Sequence, residues 1–288
     1  IKAHRPDLHV KALTPVEYHY IFKKAKISYE EGMQQMLDAG LDSMPGGGAE
    51  IFHPEIRDQI AGGKCSGDQW LRIHEIWHEL GKRSNATMLY GHIEEYRHRV
   101  DHMEQLRNLQ DKTGGFQTFI PLKFRNKGNE MSHVDETTVV EDLKNYAIAR
   151  IYLNNFDHIK AYWVMIGESL AQVALNFGAD DLDGTIIEER ITHTAGAKSA
   201  KGLTQTQMED MIRSAGFDPV QRDSFYNPIL NITRNFEWFE NIFPESKDLA
   251  TEMAKLPLLS MLVPKRVFVH KNKIFLDEVH VDMENVPS

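Results

Sequence analysis

The 288 residues include 33 Lys and Arg against 42 Asp and Glu, a formal net charge of −9, with 41 % hydrophobic and 26 % charged residues. This balance suits a globular protein with a sizeable core; it excludes a long disordered or collagen-like chain and argues against a phosphate-backbone binder, so no nucleic-acid partner is expected. The single cysteine, Cys65, excludes an internal disulfide framework and any thiolate metal cage built by this chain alone. No apolar run approaches the roughly 18 residues of a membrane span, so no membrane span is expected.

The chain opens Ile1-Lys2-Ala3-His4, with no Met and no signal-peptide pattern, and reads as the interior of a longer protein. Leu8 to Leu13 predicts a strand, and helical sequence follows from about Pro15, with Pro at a first helical position. A second helix is expected from Ser28, a candidate N-cap, to Ala39, with Gly40 ending it. Leu41 to Met44 predicts a short strand, followed by a glycine run and helical sequence. Trp70, Ile73, His74, Trp77 and Leu80 recur at helical spacing, and Gly81 closes that helix. Ala86 to Tyr90 reads as a strand, and about Ile93 to Asp111 as a long charged helix. Strands are expected at Phe116 to Lys123, Ile159 to Trp163 and Leu182 to Thr185. Helices are expected at Val139 to Leu153, around Leu170 to Asn176, and at Thr204 to Ala215.

About six β-then-α units in a row predict a parallel α/β sheet with right-handed crossovers. The choice lies between an open doubly wound sheet and a TIM-type (β/α)8 barrel. No Gly-x-Gly-x-x-Gly follows the first strand, and polar, glycine-rich residues sit just past strand ends, which favours the barrel. From about Asp223 the rhythm breaks. Asn235 to Phe243 reads as a short amphipathic helix, prolines follow, and Arg266 to His270 with Ile274 to Leu276 could pair as a hairpin. The expected division is residues 1–222 as a partial barrel and 223–288 as an appendage.

Three strand-end constellations could carry chemistry. In Gly40 to Ile51, the run Gly46-Gly47-Gly48 lets backbone N–H groups approach a ligand, and Glu50 can bind a ribose hydroxyl or an ammonium. Equally, the run could be a plain surface loop. In Asn85 to Glu94, Tyr90 and His92 could hydrogen-bond an anionic substrate or relay protons, although a lone His is more often structural. In Gly178 to Glu189, acids crowd one strand and its end, and Asp183 and Thr185 could contact polar ligand atoms. His74-Glu75-Ile76-Trp77-His78 is a literal His-Glu-x-x-His. Its apolar neighbours suggest a helix packed on a core, and no third zinc ligand follows at protease spacing, so no metal ligand is assigned.

The ordered set of these motifs resembles the radical S-adenosylmethionine (SAM) enzymes of the futalosine route to menaquinone, and the related deazaflavin synthases. The likeness runs from about Asp7 to Arg222. Thr113 to Leu122, Asn155 to Trp163 and Asp181 to Thr185 point within that group to the aminofutalosine-forming branch. The resemblance implies a radical SAM barrel, here with about six of eight units, and a transferase. That enzyme joins the 5′-deoxyadenosyl group of SAM to 3-[(1-carboxyvinyl)oxy]benzoate, giving 6-amino-6-deoxyfutalosine. The alternatives are cyclic dehypoxanthine futalosine synthase or a non-catalytic binding or scaffold remnant. It implies SAM contacts at Gly46, Gly47, Gly48 and Glu50, catalytic contacts at Tyr90 and His92, and substrate contacts at Asp183 and Thr185. It also implies a [4Fe-4S] cluster, a low-potential electron donor such as flavodoxin or ferredoxin, and a cytoplasmic setting. The cluster's Cys-x-x-x-Cys-x-x-Cys motif has no match here, so these residues alone are expected not to perform radical chemistry.

Overall fold

The computed structural model describes residues 1–184 and 202–229, with the backbone of 267–270 and 273–276. It falls into two compact units, Ile1–Pro219 with Ser224–Tyr226, and Val220–Asp223 with Asn227–Ser288.

In the first unit, local signals set the helix boundaries. Helix α1 (Pro15–Ala25) begins at Thr14, which forms a capping box with Glu17 and is followed by Pro in the first turn. Helix α2 (Tyr29–Asp38) starts at Ser28, whose hydroxyl accepts the Glu31 N–H. After β1 (Ser43–Met44) and α3 (Pro54–Ile60), α4 (Gly67–Glu79) is capped by Ser66 with Gln69. Then come β2 (Arg83–Tyr90), α5 (Tyr96–Thr113), β3 (Phe116–Lys123) and α6 (Val139–Tyr152). They are followed by β4 (His158–Ala161), α7 (Trp163–Ile166), α8 (Glu168–Ala174), a 3-10 turn Leu175–Phe177, β5 (Asp181–Leu182) and α9 (Gln205–Ser214).

The strands form one parallel sheet in the order β1-β2-β3-β4-β5. An isolated parallel bridge from Lys11 to Ser43 lays the N-terminal segment outside β1. The strand expected at Leu8 to Leu13 shrinks to that bridge, because Leu13 turns into a left-handed conformation (φ 57°) just before the α1 cap. Strand β4 stops at Ala161, not Trp163, because Trp163 already starts α7. Strand β5 spans only Asp181–Leu182, and Thr185 lies outside the described residues.

Strand order never reverses, unlike a doubly wound sheet. The helices also gather on one face. On β2, Ser84 meets His74 and His78 of α4, and Tyr90 meets Asp142 of α6, so alternate side chains of one strand reach helices on both flanks. Sequential parallel strands with helices on a single face make the wall of a β/α barrel. The helix side is apolar. Trp70, Trp77, Phe116, Phe119, Tyr146, Phe156 and Trp163 are fully buried. The opposite face is polar and carries Ser43, Asn85, Thr87, Gln117, Lys160 and Asp181.

In the second unit, Val267–His270 (β6) pairs antiparallel with Lys273–Leu276 (β7), His270 opposite Lys273. This is the hairpin read from the sequence. The helix expected at Asn235 to Phe243 lies outside the described residues.

Candidate functional site

Loops that follow the C-terminal ends of parallel strands collect at one pole of such a wall. The β1 loop holds the glycine run. Its carbonyls turn inward: Gly46 O accepts from Thr87 Oγ1 at 2.5 Å, Gly47 O from the Trp70 indole at 3.2 Å, and Gly48 O from Arg57 Nη2 at 3.0 Å. Arg57 also donates to the carbonyls of Ala49 and Cys65. One buried guanidinium therefore ties the loop to α3. Among the described residues, no acceptor takes the N–H groups of Gly46, Gly47 or Gly48. The loop thus offers donors and withholds acceptors. Glu50, left-handed at φ 50°, holds Lys64 Nζ at 2.8 Å.

The β2 loop is organised by Glu94. Its side chain is fully buried and accepts from the Gly91 N–H at 2.6 Å, the His92 N–H at 2.8 Å and the Arg99 guanidinium at 2.6 Å. His92 Nδ1 lies 3.1 Å from the same carboxylate, and Nε2 lies 3.1 Å from Leu89 O. Burial lowers the His92 pKa, opposed by Glu94 and more weakly by Glu50. Glu50 and His92 therefore share one electrostatic neighbourhood. Tyr90 does not join them. Its phenol donates to Asp142 Oδ1 at 3.0 Å on the helix side, and Asp142 also takes Lys123 Nζ at 2.7 Å and Thr137 Oγ1 at 2.6 Å. Burial, with Tyr146 and Asp142 nearby, pushes the Tyr90 pKa well up. The alternation of β2 puts Tyr90 in the wall behind the polar face.

At the far end of the sheet, Lys160 of β4 reaches Asp183 at 2.8 Å and Asp181 at 3.6 Å. Asp183 sits just past the end of β5, with its side chain 29 % exposed. The sequence reading overlooked Lys160. Its signal was a charged residue between Ile159 and Ala161 in an otherwise buried strand.

The two histidines of the His-Glu-x-x-His run converge on one hydroxyl. His74 Nδ1 and His78 Nε2 each lie 2.7 Å from Ser84 Oγ, and His78 Nδ1 lies 2.8 Å from Thr113 Oγ1. Glu75 turns away to Arg72 and Lys112. A separate trio, His53, Glu55 and His98, brings potential ligand atoms within 4.8 Å of one another. However, His98 Nδ1 accepts the Glu95 N–H, which leaves the proton on Nε2. With that cap in place, Nε2 has no lone pair for a metal.

Residues 113–234 match the family described as the CofH/MqnC C-terminal region. Over 80 % of its length the chain is 49 % identical to the aminodeoxyfutalosine synthase of Thermus thermophilus, of which it covers 63 %. The chain is thus similar in sequence to aminodeoxyfutalosine synthases over part of their length. It is also 41 % identical, over 80 % of its length, to the 5-amino-6-(D-ribitylamino)uracil–L-tyrosine 4-hydroxyphenyl transferase of Methanopyrus kandleri, covering 63 % of it. Over the same share it is 38 % identical to the cyclic dehypoxanthine futalosine synthase of Streptomyces coelicolor, covering 57 %. It thus spans about three-fifths of these relatives' own lengths.

Two groups implied by the family resemblance differ in what these residues could hold. The amides of the β1 loop with no acceptor among the described residues, and the Glu50 carboxylate, are of the kind that could meet the carboxylate, ammonium and ribose of SAM. The iron–sulfur cluster does not fit. It needs several thiolates, and the one cysteine is buried behind Arg57, with its pKa raised by burial. Among the described residues, no helix is long and apolar enough to cross a membrane.

Proposed function

We propose that the protein forms the SAM- and substrate-holding wall of a radical SAM transferase. That enzyme joins the 5′-deoxyadenosyl group of SAM to 3-[(1-carboxyvinyl)oxy]benzoate, giving 6-amino-6-deoxyfutalosine for menaquinone synthesis. The observation that carries this reading is the 49 % identity to the Thermus thermophilus protein; the identity to the cyclic dehypoxanthine futalosine synthase is lower, 38 %. The cluster, held by thiolates this chain does not supply, would deliver the electron that cleaves SAM. A low-potential donor such as flavodoxin or ferredoxin would feed it, in the cytoplasm. Residues 1–222 would act as the barrel portion and 223–288 as an appendage.

Within this reading, the amides of Gly46, Gly47 and Gly48 bind the SAM carboxylate, and Glu50 exchanges Lys64 for the SAM ammonium. His92, clamped by Glu94, sits beside Glu50 and lines the substrate end. Tyr90 acts from behind, fixing Asp142 and Lys123 so that the strand ends keep their spacing. Asp183 faces the mouth from the far side, and Thr185 is assigned a substrate contact on the resemblance alone. The packed walls exclude water from the reacting atoms.

The test is a chimera carrying, ahead of this chain, the part of the Thermus thermophilus relative that precedes the matched region. It is reconstituted anaerobically with iron and sulfide. With SAM, a reductant and the enol-ether benzoate it should release 6-amino-6-deoxyfutalosine, detected by mass, and the Glu50→Gln chimera should bind SAM at least about tenfold more weakly. A reconstituted chimera that cleaves SAM but leaves the benzoate untouched would refute the reading.

A further inference from the structure

Aliphatic side chains interrupt the polar face of the sheet. Tyr90 of β2 and Lys123 of β3 are paired in register, and both reach Asp142 on the helix side. The residue before each, Leu89 and Leu122, therefore points to the opposite face, as does Ile120, two residues earlier on β3. Leu89 pairs with Leu122, and Ile120 with Thr87, so the three lie side by side over the C-terminal halves of β2 and β3. Each is half-buried, while every residue flanking them in these strands is buried. Among the described residues, none of the three packs against either buried apolar cluster. They form an aliphatic platform outside the core, on a face otherwise lined by Asn85, Thr87, Lys160 and Asp181. Water against such a surface is unfavourable, so the platform calls for an apolar occupant.

Its place indicates which one. In sheet order the platform stands between β1, whose loop carries the glycine amides and Glu50, and β4, which carries Lys160. The carbonyl of Leu89 accepts from His92 Nε2 at 3.1 Å, and the His92 ring meets Phe124, just past β3, edge-on at 6.1 Å. The platform is thus continuous with the β2 loop of the candidate site. Of the two proposed reactants, SAM is matched to the β1 loop. Its adenine carries edge nitrogens that need hydrogen-bond partners, and the side chains of Leu89, Ile120 and Leu122 offer none. The benzene ring of the enol-ether benzoate has no polar ring atom, and its faces are bare for aliphatic contact.

We infer that Leu89, Ile120 and Leu122 are specificity-determining residues that seat the benzene ring of the substrate. This rests on the proposed function and adds to it the surface that reads the ring. The test is direct binding to the purified chain, without cluster or turnover. The probes are 3-[(1-carboxyvinyl)oxy]benzoate and SAM. Leu122→Asn should weaken the benzoate at least about tenfold and leave SAM unchanged. Val140→Thr, 61 % exposed on α6, should change neither. General damage to the fold would weaken both probes alike. If Leu122→Asn does not fold, Ile120→Thr, still β-branched and suited to a strand, should show the same selective loss. An unchanged benzoate affinity in the folded variant, an equal loss of both probes, a loss confined to SAM, or a native chain that does not bind the benzoate overturns the inference. A chimera that makes product with the same KM for the benzoate when it carries Leu122→Asn sinks the inference alone. A chimera that makes none, while the purified chain binds the benzoate through Leu122, sinks the functional reading alone.

Discussion

A methyl group on Gly46 would collide with the Asn85 carbonyl oxygen, and Gly48 sits at φ 78° with Val16 beside it. The glycine run is therefore needed for the loop to lie against β2 and to turn at Gly48. That packing need was not read from the sequence, because close backbone packing between distant segments leaves no local pattern. Gly46→Ala should cost roughly 1–3 kcal/mol of stability. Gly184→Ala, where a Cβ meets nothing, should stay within about 0.5 kcal/mol. Urea midpoints of the two proteins check this, and equal midpoints would refute the packing argument. The same limit explains Tyr90. A phenol at a strand end looks available in sequence, and only the pleat and the position of Asp142 send it to the helix side.

At the scale of elements, legibility followed local chemistry. Strand β3 (Phe116–Lys123) occupies the residues expected of it, and α6 (Val139–Tyr152) ends one residue short of its expected limit. A helix stop at Gly114 and the N-cap Thr138 bound them, and such signals act through neighbouring residues alone. Strands β1 and β5 came out far shorter than read, since two-residue pairing depends on partners that local sequence does not name. Helix α4 shows the value of a cap. Ser66 and Gln69 satisfy N–H groups at the start of the helix that carries buried Trp70, His74 and Trp77. Ser66→Ala should lower stability by about 1 kcal/mol, seen as a shift in thermal midpoint. No shift would mean that packing alone holds that end.

Across the whole molecule, three buried histidines couple the fold to pH. Burial holds His78 and His102 at pKa values of about 3, and His74 is also pushed well down. In the unfolded chain each takes up a proton near pH 6.5, which the native state refuses until far lower pH. Their neutral burial is thus without penalty above pH 6.5, and stability falls as pH drops below it. The slope is about 1.4 kcal/mol per pH unit for each histidine once the unfolded form is mostly charged. Urea midpoints should fall between pH 6.5 and 5, and His102→Gln should flatten that fall. A native midpoint constant over this range would contradict the assignment.

Composition, strand–helix alternation and capping residues were enough to establish a parallel α/β chain and the motifs at its strand ends, because those signals are periodic or nearest-neighbour. Tertiary structure alone decided which face each polar group serves. It turned Tyr90 into the wall, joined His74 and His78 through Ser84, bound Glu94 to Arg99, and brought Tyr226 across the sheet to Asp181. The physical reason is that a buried polar group must find its partner in space, and in a folded chain that partner is often dozens of residues away.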